Sequence, residues 1–381
     1  MKTLTQILKL KFFVFLILII FISENCDLNQ SNIKTLEREI NRLSSKHIKD
    51  KSLGVFETRL EKEKGHWTLS GETSNKVLYE SINSVCDSLF NPKGFQSNFQ
   101  LLPDSLLGDS LYAIINVSVT PIKEKPSHSS QIIDQGQMGN QLKLLRFEGG
   151  WYLSQTHYDY VGWINQTAIQ ICNSSQIKDW DSSNLIRVSV ISDHIYSEPN
   201  LQSRPISDIV LNNKLKLINK NTDWSLIQLP DKRFGYLKNT SFAEQIEEIE
   251  DPVQTRLKLA HQMMGTPYLW GGNSAKANDC SGFTQNIFEA SGIKLPRDAK
   301  QQALHGEKII PNKTWSNIES GDLLFFGKED RVTHVGMSVG QHDFIHQGGM
   351  VGISSLDPQS IAFASKRLET FLFVKRIIKQ Q

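Results

Sequence analysis

The sequence predicts a multidomain protein: a helical region, then two small all-β barrels, then a domain that mixes helices and strands. Three observations lead to this prediction. The chain has 381 residues, which is too long for one ordinary domain. A stretch of short alternating strands between positions 111 and 245 repeats itself. The last third of the chain combines helical spacing with strand-like runs and holds most of the motifs that suggest chemistry.

The composition is that of a globular protein, and it excludes several functional classes. Hydrophobic residues make up 39% and charged residues 22%, which argues against a disordered chain or a collagen-like fibre. The formal net charge is only +2 and like charges form no long block, which argues against a nucleic-acid binder. The four cysteines include no C-x-x-C pair, which excludes a tetrathiolate zinc site. Because no other cluster of metal ligands appears, we expect no metal and no other cofactor.

Residues 1–26 have the pattern of an export signal. Three lysines precede Phe12–Ile22, an apolar run that is too short for a membrane-spanning helix, which needs about 20 residues. We therefore expect a periplasmic, cell-envelope or secreted bacterial protein. Cys26 lies where a lipoprotein signal would place its acylated cysteine, but Glu24 and Asn25 differ from the small residues usual there. A lipid anchor and an incidental cysteine both remain open.

Residues 27–110 are predicted to form a small helical region. Apolar residues recur at three- and four-residue intervals in positions 33–43 and 77–89. No chemistry is visible here, and Cys86 is interpreted as a small buried hydrophobic side chain. A disulfide between Cys86 and Cys172 is conceivable after export, but the sequence does not establish it.

Residues 111–175 and 185–245 are predicted to be two copies of one small barrel. Each copy runs from a Ser-Val strand through a Pro-bearing loop to a Leu-Lys-Leu strand. A tryptophan follows, Trp151 in the first copy and Trp224 in the second, and each copy closes on a glycine beside an aromatic residue. This pattern resembles bacterial SH3-like domains, for which the Trp strand and the closing Gly-aromatic strand are typical.

Residues 253–381 contain a cysteine and two histidines whose placement predicts a nucleophilic site. Cys280 precedes an amphipathic stretch and would start a helix, where free N–H groups and the positive dipole end stabilise a thiolate. His334 and His346 lie in two strand-like runs that would place them side by side if the strands are adjacent and antiparallel. His334 would then act on the sulfur, and His346 would orient the imidazole through its other nitrogen.

The motifs around these residues resemble the landmarks of the NlpC family of cell-wall peptidases. In order they are TPYLWGGNSAKANDCSGF, LPRDA, GDLLFFG, THVGMSVG and FIHQ. The resemblance implies a papain-like α+β fold with Cys280 as nucleophile, His334 as general base and acid, and His346 as orienting residue. It also implies that Tyr268 helps to polarise the carbonyl, beside the backbone N–H of Cys280 as oxyanion donor. Trp270, in the same motif, is interpreted as packing in the wall of the site.

Two SH3-like copies ahead of such a domain resemble the γ-D-glutamyl-L-diamino acid endopeptidases of the dipeptidyl-peptidase VI type. Those enzymes cut stem peptides after D-glutamate and require a free L-alanine N-terminus. A buried cationic amine needs carboxylates, and unpaired carboxylates reject acylated analogues. By this resemblance Asp279, Ser281 and Asp298 would bind the amine. The alternatives are a helix cap for Asp279 and a surface pair with Arg297 for Asp298.

The closing loop of the first barrel copy supplies one more candidate. Tyr160 stands where the second copy has Arg233, so barrel packing does not account for an aromatic residue there. In the subfamily a tyrosine of this loop lines the peptide site, and Tyr160 is the best match, with Tyr158 second. Plain surface exposure is the alternative for both residues. A tyrosine that lines the site would let the first barrel restrict the cleft.

The sequence as a whole predicts an exported cysteine endopeptidase. Its substrate would be the γ-D-glutamyl–diamino acid bond, before lysine or diaminopimelate, of peptidoglycan stem peptides with a free L-Ala. One alternative is an N-acetylmuramoyl-L-alanine amidase or an endopeptidase that acts on intact cross-linked wall. An alternative of another class is a non-catalytic wall-binding protein. The sequence indicates neither the preferred diamino acid nor the oligomeric state.

Overall fold

The computed structural model describes residues 30–63, 66–90, 95–243, 251–329 and 331–377. They divide into two compact units, one up to Ser105 and one from Leu106 onward. The predicted export signal and Cys26 lie outside the described residues. Among the residues that are described, no helix has the length and apolar character needed to cross a membrane.

The first unit packs two helices against a three-stranded sheet. Its elements in order are α1 (30–47), β1 (Phe56–Glu63), β2 (His66–Thr73), α2 (Lys76–Leu89) and β3 (Phe95–Leu101). Strands β1 and β2 are antiparallel, and α2 crosses over so that β3 lies parallel to β2. Buried side chains from the helices and the sheet form one core: Leu36, Ile40, Leu69, Ile82 and Phe99.

The two predicted helices of this region are present, but the sheet was not foreseen. Strand β3 buries only Phe99 fully, and its remaining residues are polar or partly exposed. Alternation that rests on one or two apolar residues per strand is a weak sequence signal. Cys86 is buried in the core of this unit, and Cys86, Cys172 and Cys280 are all free thiols, so the conceivable Cys86–Cys172 disulfide is absent among these described residues.

The second unit begins with two barrels of the same design. The strands of the first are β4 (Tyr112–Ile115), β5 (Val119–Lys123), β6 (Ile132–Gln137), β7 (Gln141–Glu148), β8 (Trp151–Thr156), β9 (Val161–Asn165) and β10 (Ile169–Cys172). Helix α3 (Ser174–Asp181) leads to the second, with β11 (Leu185–Val188), β12 (Ser192–Tyr196), β13 (Pro205–Val210), β14 (Lys214–Lys220), β15 (Trp224–Gln228), β16 (Phe234–Lys238) and β17 (Phe242–Ala243). The strand order β6-β5-β9-β8-β7-β4-β10 recurs as β13-β12-β16-β15-β14-β11-β17. The predicted pair of SH3-like barrels is confirmed.

Both barrels need glycine at the same place in the closing strand. A Cβ atom added to Gly162 would lie 2.4 Å from Ile122 Cγ2, and one added to Gly235 would lie 2.5 Å from Ile195 Cγ2. Carbon atoms that are not bonded prefer separations of about 3.5–4.0 Å. The repeated Gly-aromatic signature in the sequence therefore reflects one steric requirement, met twice.

The rest of the second unit is an α+β domain on a six-stranded antiparallel sheet. Its elements are α4 (Pro252–Gln262), α5 (Cys280–Ala290), α6 (Ala299–Gln302), β18 (Glu307–Ile309), β19 (Leu323–Lys328), β20 (Arg331–Gly340), β21 (Asp343–Gln347), β22 (Val351–Ser355), α7 (Ser365–Glu369) and β23 (Phe371–Arg376). The strand order is β18-β23-β19-β20-β21-β22. Helix α5 buries Phe283 and Ile287 against Phe325 and Val335 of the sheet. This core fixes the helix that carries Cys280, and the predicted α+β class is confirmed.

Replacing either closing-strand glycine should destabilise the protein. Gly162→Ala and Gly235→Ala each force a methyl group into a packed barrel, and overpacking of this kind costs about 1–3 kcal/mol. Denaturant unfolding followed by tryptophan fluorescence would measure the loss. Gly352→Ala is the matched control, because that strand glycine has no atom nearer than 4.0 Å to its added Cβ. Equal stability of all three variants would contradict the steric explanation.

Candidate active site

Cys280 is the first residue of α5, where the sequence predicted a helix to begin. The helix starts there because the Asp279 side chain accepts a hydrogen bond of 2.8 Å from the backbone N–H of Gly282. A Cβ at Gly282 would lie 2.0 Å from the carbonyl oxygen of Gly272, so the helix start lies directly against the preceding turn. Cys280 is half-buried and lines a cavity of about 870 Å³.

The adjacent strands β20 and β21 bring the two histidines together. Nε2 of His334 lies 2.8 Å from Nδ1 of His346, and Nε2 of His346 lies 3.0 Å from Oγ of Ser354. His334 lines the same cavity as Cys280, and its Nδ1 is the ring nitrogen left for the sulfur. In the described part of the chain, no group of three or more His, Cys, Asp or Glu side chains is arranged to hold a metal ion.

The thiol of Cys280 is protonated in the resting protein. Burial and the carboxylate of Asp279 raise the pKa of Cys280 to about 11, although the N–H groups of Val335 and Ser281 and the Arg297 guanidinium oppose the rise. The sequence predicted a thiolate stabilised by the helix start, but burial and the charge of Asp279 favour the protonated thiol. The reason is that loss of hydration and a neighbouring negative charge outweigh the helix terminus.

Both histidines are neutral at ordinary pH. Burial, then the guanidinium of Arg367 and the ring of His346, hold the pKa of His334 well below its usual range. Burial and Arg367 lower the pKa of His346 to about 4. Arg367 lies over the ring of Phe326, which in turn contacts His334. The resting site is therefore a neutral thiol beside a neutral imidazole, and not an ion pair.

Asp279 is saturated by donors from the protein. Its Oδ1 accepts from Ser281 Oγ, from the N–H of Gly282 and from Arg297 Nη1, and its Oδ2 accepts from the N–H of Gly271 and from Arg297 Nη2. A carboxylate offers about four acceptor positions. Asp279 therefore serves as a helix cap, which is the alternative that the sequence left open, and its role in amine binding stays a prediction.

Arg297 is fully buried, and it does not form the surface pair with Asp298 that the sequence left open. Its Nε donates to Oδ1 of Asp134 at 2.6 Å, and its Nη2 donates to Oδ2 of Asp279 at 2.6 Å. Asp134 belongs to β6 of the first barrel, is fully buried, and also accepts from the hydroxyl of Tyr158. We call Asp134, Arg297 and Asp279 the ion triad.

Asp298 and Tyr160 meet in the cavity. The hydroxyl of Tyr160 donates to Oδ1 of Asp298 at 3.2 Å, and the backbone N–H of Asp298 is held by Gln301 at 3.0 Å. Tyr160 is only 7% exposed, so plain surface exposure is the wrong alternative for it, although the matching Arg233 is exposed. Burial and the Asp298 charge raise the pKa of Tyr160, so its phenol remains a donor. Ser281 lines the same cavity.

The two aromatic residues of the Tyr-x-Trp motif also line the cavity. Burial, with Asp279 and Cys280, raises the pKa of Tyr268 to about 12, so its hydroxyl is available to donate. Trp270 is 62% exposed, and its interpretation as a packed wall residue was wrong. The neighbouring Gly271 explains this, because the backbone of the turn, and not the indole, packs against the first barrel.

Sequence reasoning missed Asp134 and Ser354. Asp134 stands where the second barrel copy has Ser207, so the comparison of copies that singled out Tyr160 could have found it too. Ser354 has no such signal, because a serine in an outer strand is not distinctive. Tyr158, the second choice for a cavity tyrosine, instead holds Asp134 through its hydroxyl.

Comparisons with known proteins extend this picture. Residues 265–368 match the model of the NlpC/P60 family, and residues 118–170 match that of the bacterial SH3 domain. A probable endopeptidase of Haemophilus influenzae is 35% identical over 120 residues, covering 29% of this chain and 72% of that protein. A γ-D-glutamyl-L-lysine dipeptidyl-peptidase of Bacillus cereus is 24% identical over 234 residues, covering 58% of this chain and 68% of that protein.

A solved structure shares the fold. The crystal structure of an NlpC/P60 family protein from Bacillus cereus matches with a TM-score of 0.60 and 21% identity, over 70% of this chain and 99% of that chain. Helix α5 with its leading cysteine and strands β20 and β21 with their histidines all lie within the region that the family model matches. The chain belongs to the NlpC/P60 family and is a cysteine peptidase.

Proposed function

We propose that this peptidase hydrolyses the γ-D-glutamyl–diamino acid bond of peptidoglycan stem peptides that carry a free N-terminal L-alanine. The observation that carries the proposal is the contact between Tyr160 and Asp298, which places a carboxylate in the wall of the cavity that Cys280 also lines. A dipeptidyl-peptidase must bind the free amine of its substrate at a fixed, short distance from the bond that it cuts. The name of the Bacillus cereus relative agrees with this activity.

The amine of L-alanine binds to three acceptors in the proposed complex. Asp298 supplies the charge, and Tyr160, whose proton is already donated to Asp298, offers a lone pair on its oxygen. Ser281 donates to Asp279 and accepts from Arg297, which leaves one further lone pair on its hydroxyl for the amine. An acylated amine has neither the charge nor the donors for these acceptors, so it loses the charge-assisted hydrogen bonds that the free amine makes with them.

The first half-reaction breaks the γ-amide bond. Nδ1 of His334 takes the thiol proton of Cys280 as the sulfur attacks the γ-carbonyl carbon. The oxyanion accepts hydrogen bonds from the backbone N–H of Cys280 and from the hydroxyl of Tyr268. His334 then passes its proton to the departing α-amine of the diamino acid, and a thioester remains on Cys280.

The second half-reaction restores the thiol. His334 takes a proton from water, the resulting hydroxide attacks the thioester carbon, and the proton returns to the sulfur as L-Ala-D-Glu leaves. His346 accepts from Nε2–H of His334 and donates its own Nε2–H to Ser354, which keeps Nδ1 of His334 unprotonated at rest. Both half-reactions therefore use the same neutral base.

The place of action follows from the substrate. Peptidoglycan lies outside the cytoplasmic membrane, and the basic and apolar pattern of residues 1–26 is suited to export. An amidase or an endopeptidase for intact cross-linked wall would have to admit a stem peptide whose L-alanine is acylated. The carboxylate of Asp298 in the cavity disfavours such a substrate.

The substrate assignment is tested with L-Ala-γ-D-Glu-L-Lys and its N-acetylated form, followed by mass spectrometry. We expect L-Ala-D-Glu from the free peptide, at least about 100-fold slower release from the acetylated peptide, and no release by Cys280→Ala. Equal cleavage of both peptides would remove the amine site and favour an enzyme for intact wall. Activity on the free peptide in Cys280→Ala would remove the proposed nucleophile.

Tyr160→Phe tests the contribution of the first barrel to amine binding. Losing one hydrogen bond to a charged group costs about 1.5–3 kcal/mol, which corresponds to a rise in KM of about tenfold or more. We expect kcat to change less than KM and the preference for the free amine to weaken. Tyr236→Phe, in the second barrel, is the matched control and should behave as wild type. An unchanged KM in Tyr160→Phe would place the amine elsewhere.

The low pKa of the histidines predicts activity in mild acid. Because His334 must be neutral to accept the thiol proton and its pKa lies well below 6.5, the acid limb of kcat should fall below pH 6.5. Arg367→Gln removes a cation that disfavours imidazolium, so its acid limb should move to higher pH, whereas Lys366→Gln should not change it. A wild-type midpoint at or above 6.5, unmoved by Arg367→Gln, would contradict this mechanism.

A further inference from the structure

The ion triad joins two domains at a point with almost no access to water. The side chain of Arg297 is 2% exposed, that of Asp134 is 0% exposed and that of Asp279 is 11% exposed. A buried charge without a partner is strongly unfavourable, so the three groups are held together. The planar guanidinium offers its donors in a fixed fork, and this fixes the directions of both carboxylates as well as their distances.

One member of the ion triad, Asp279, lies beside the proposed nucleophile. Asp279 is the residue directly before Cys280, and its two oxygens hold the N–H of Gly282 in α5 and the N–H of Gly271 in the preceding turn. Arg297 also donates to the carbonyl oxygen of Gly272 at 3.3 Å. A displacement of Asp134 in the barrel would therefore move the guanidinium of Arg297. Through Arg297 it would move both the turn before Cys280 and the start of α5.

A second set of contacts attaches the same barrel strand to the same turn without involving the charge. Gln135 Oε1 accepts from the N–H of Asn273 at 2.8 Å, and Gln137 Nε2 donates to the carbonyl oxygen of Asn273 at 2.7 Å. These amide contacts fix the barrel to the catalytic domain. Neither bond involves the side chain of Asp134, so attachment and charge can be separated by experiment.

We infer that Asp134 of the first barrel is a positioning residue for Cys280 and acts through Arg297 and Asp279. The first barrel thus helps to position the sulfur of Cys280, in addition to contributing residues to the wall of the substrate cavity. The inference rests on the proposed role of Cys280 as nucleophile. It does not depend on which peptide the enzyme cleaves.

The test compares Asp134→Asn with Asp208→Asn in the full chain. Asp208 is the matched control, because it also joins a barrel to the catalytic domain, through Lys276, but it does not contact Asp279. Each variant is measured for kcat and KM on L-Ala-γ-D-Glu-L-Lys and for its thermal midpoint. The pH dependence of Cys280 alkylation by iodoacetamide is followed by mass spectrometry of the peptide that contains Cys280.

We expect opposite effects on turnover and on thiol reactivity in Asp134→Asn. Loosening Asp279 misplaces the sulfur, so kcat should fall about tenfold, while KM stays within about threefold because two of the three amine acceptors, Asp298 and Tyr160, do not contact Asp279. The triad loses one of its two negative charges, which favours a thiolate nearby. The alkylation midpoint of Cys280 should therefore shift by at least about half a unit to lower pH.

The other groups around the sulfur are the same in both variants. The titratable or charged side chains around Cys280 include His334 on β20, Tyr268 and Asp279 before α5, Arg297 before α6 and Arg367 on α7. The same cavity is also lined by Tyr160, Asp298, Lys300 and Arg331. None of them is substituted, so a shifted midpoint reports the change at Asp134. A role in stability alone would lower the thermal midpoint and leave the alkylation profile of the folded protein unmoved.

The proposal is overturned if folded Asp134→Asn keeps kcat within about twofold and the alkylation midpoint of wild type, or if Asp208→Asn shows the same changes. If Asp134→Asn does not fold, Tyr158→Phe tests the same positioning role, because it removes only one hydroxyl donor to Asp134. There kcat should fall at least about twofold, and an unchanged kcat would overturn the proposal. If the wild type cleaves none of the peptide, the proposed function fails, and the alkylation profiles still test the triad.

Discussion

The guanidinium of Arg297 is the interaction on which the arrangement of the second unit depends. It lies between one carboxylate from a barrel and one from the start of the helix that carries the cysteine. Removing the guanidinium would leave two buried carboxylates without a cation, which is among the costliest defects a protein can have. The first barrel and the catalytic domain are therefore joined beside the cavity by the ion triad, as well as by the amide contacts of Gln135 and Gln137 with Asn273.

The two barrels share a strand order, and both contact α5; Nε2 of His157 in the first barrel lies 4.0 Å from Oε1 of Glu289, near the helix end. The first acts at the helix start through Asp134. The second acts at the helix end, where Arg187 donates to the carbonyl oxygen of Glu289 and Asn212 donates to that of Asn286 at 2.9 Å. Cationic and amide donors suit the last carbonyls of a helix, just as a carboxylate suits its first N–H groups. Two barrels of one design thus both contact the helix that begins at Cys280.

The sequence predicted the features that local patterns encode. The barrel repeat, the helix beginning at Cys280 and the strand-borne histidines depend on periodicity or spacing, and the structure contains each of them. The protonated thiol and the saturated Asp279 were not predictable in this way. They depend on the sum of burial and on Arg297, a residue that meets Asp134 only after two domains have folded together. The sheet of the first unit was not predicted, because its strands bury too few apolar residues to give a clear alternating pattern.

The protonated state of Cys280 has a consequence for chemical durability. Peroxide and related oxidants attack thiolates far faster than thiols, and the first product is a sulfenic acid that can proceed to irreversible forms. With a pKa of about 11, only a very small fraction of Cys280 is ionised at neutral pH. The thiol form therefore makes the sulfur less prone to oxidation than a thiolate in the same cavity would be.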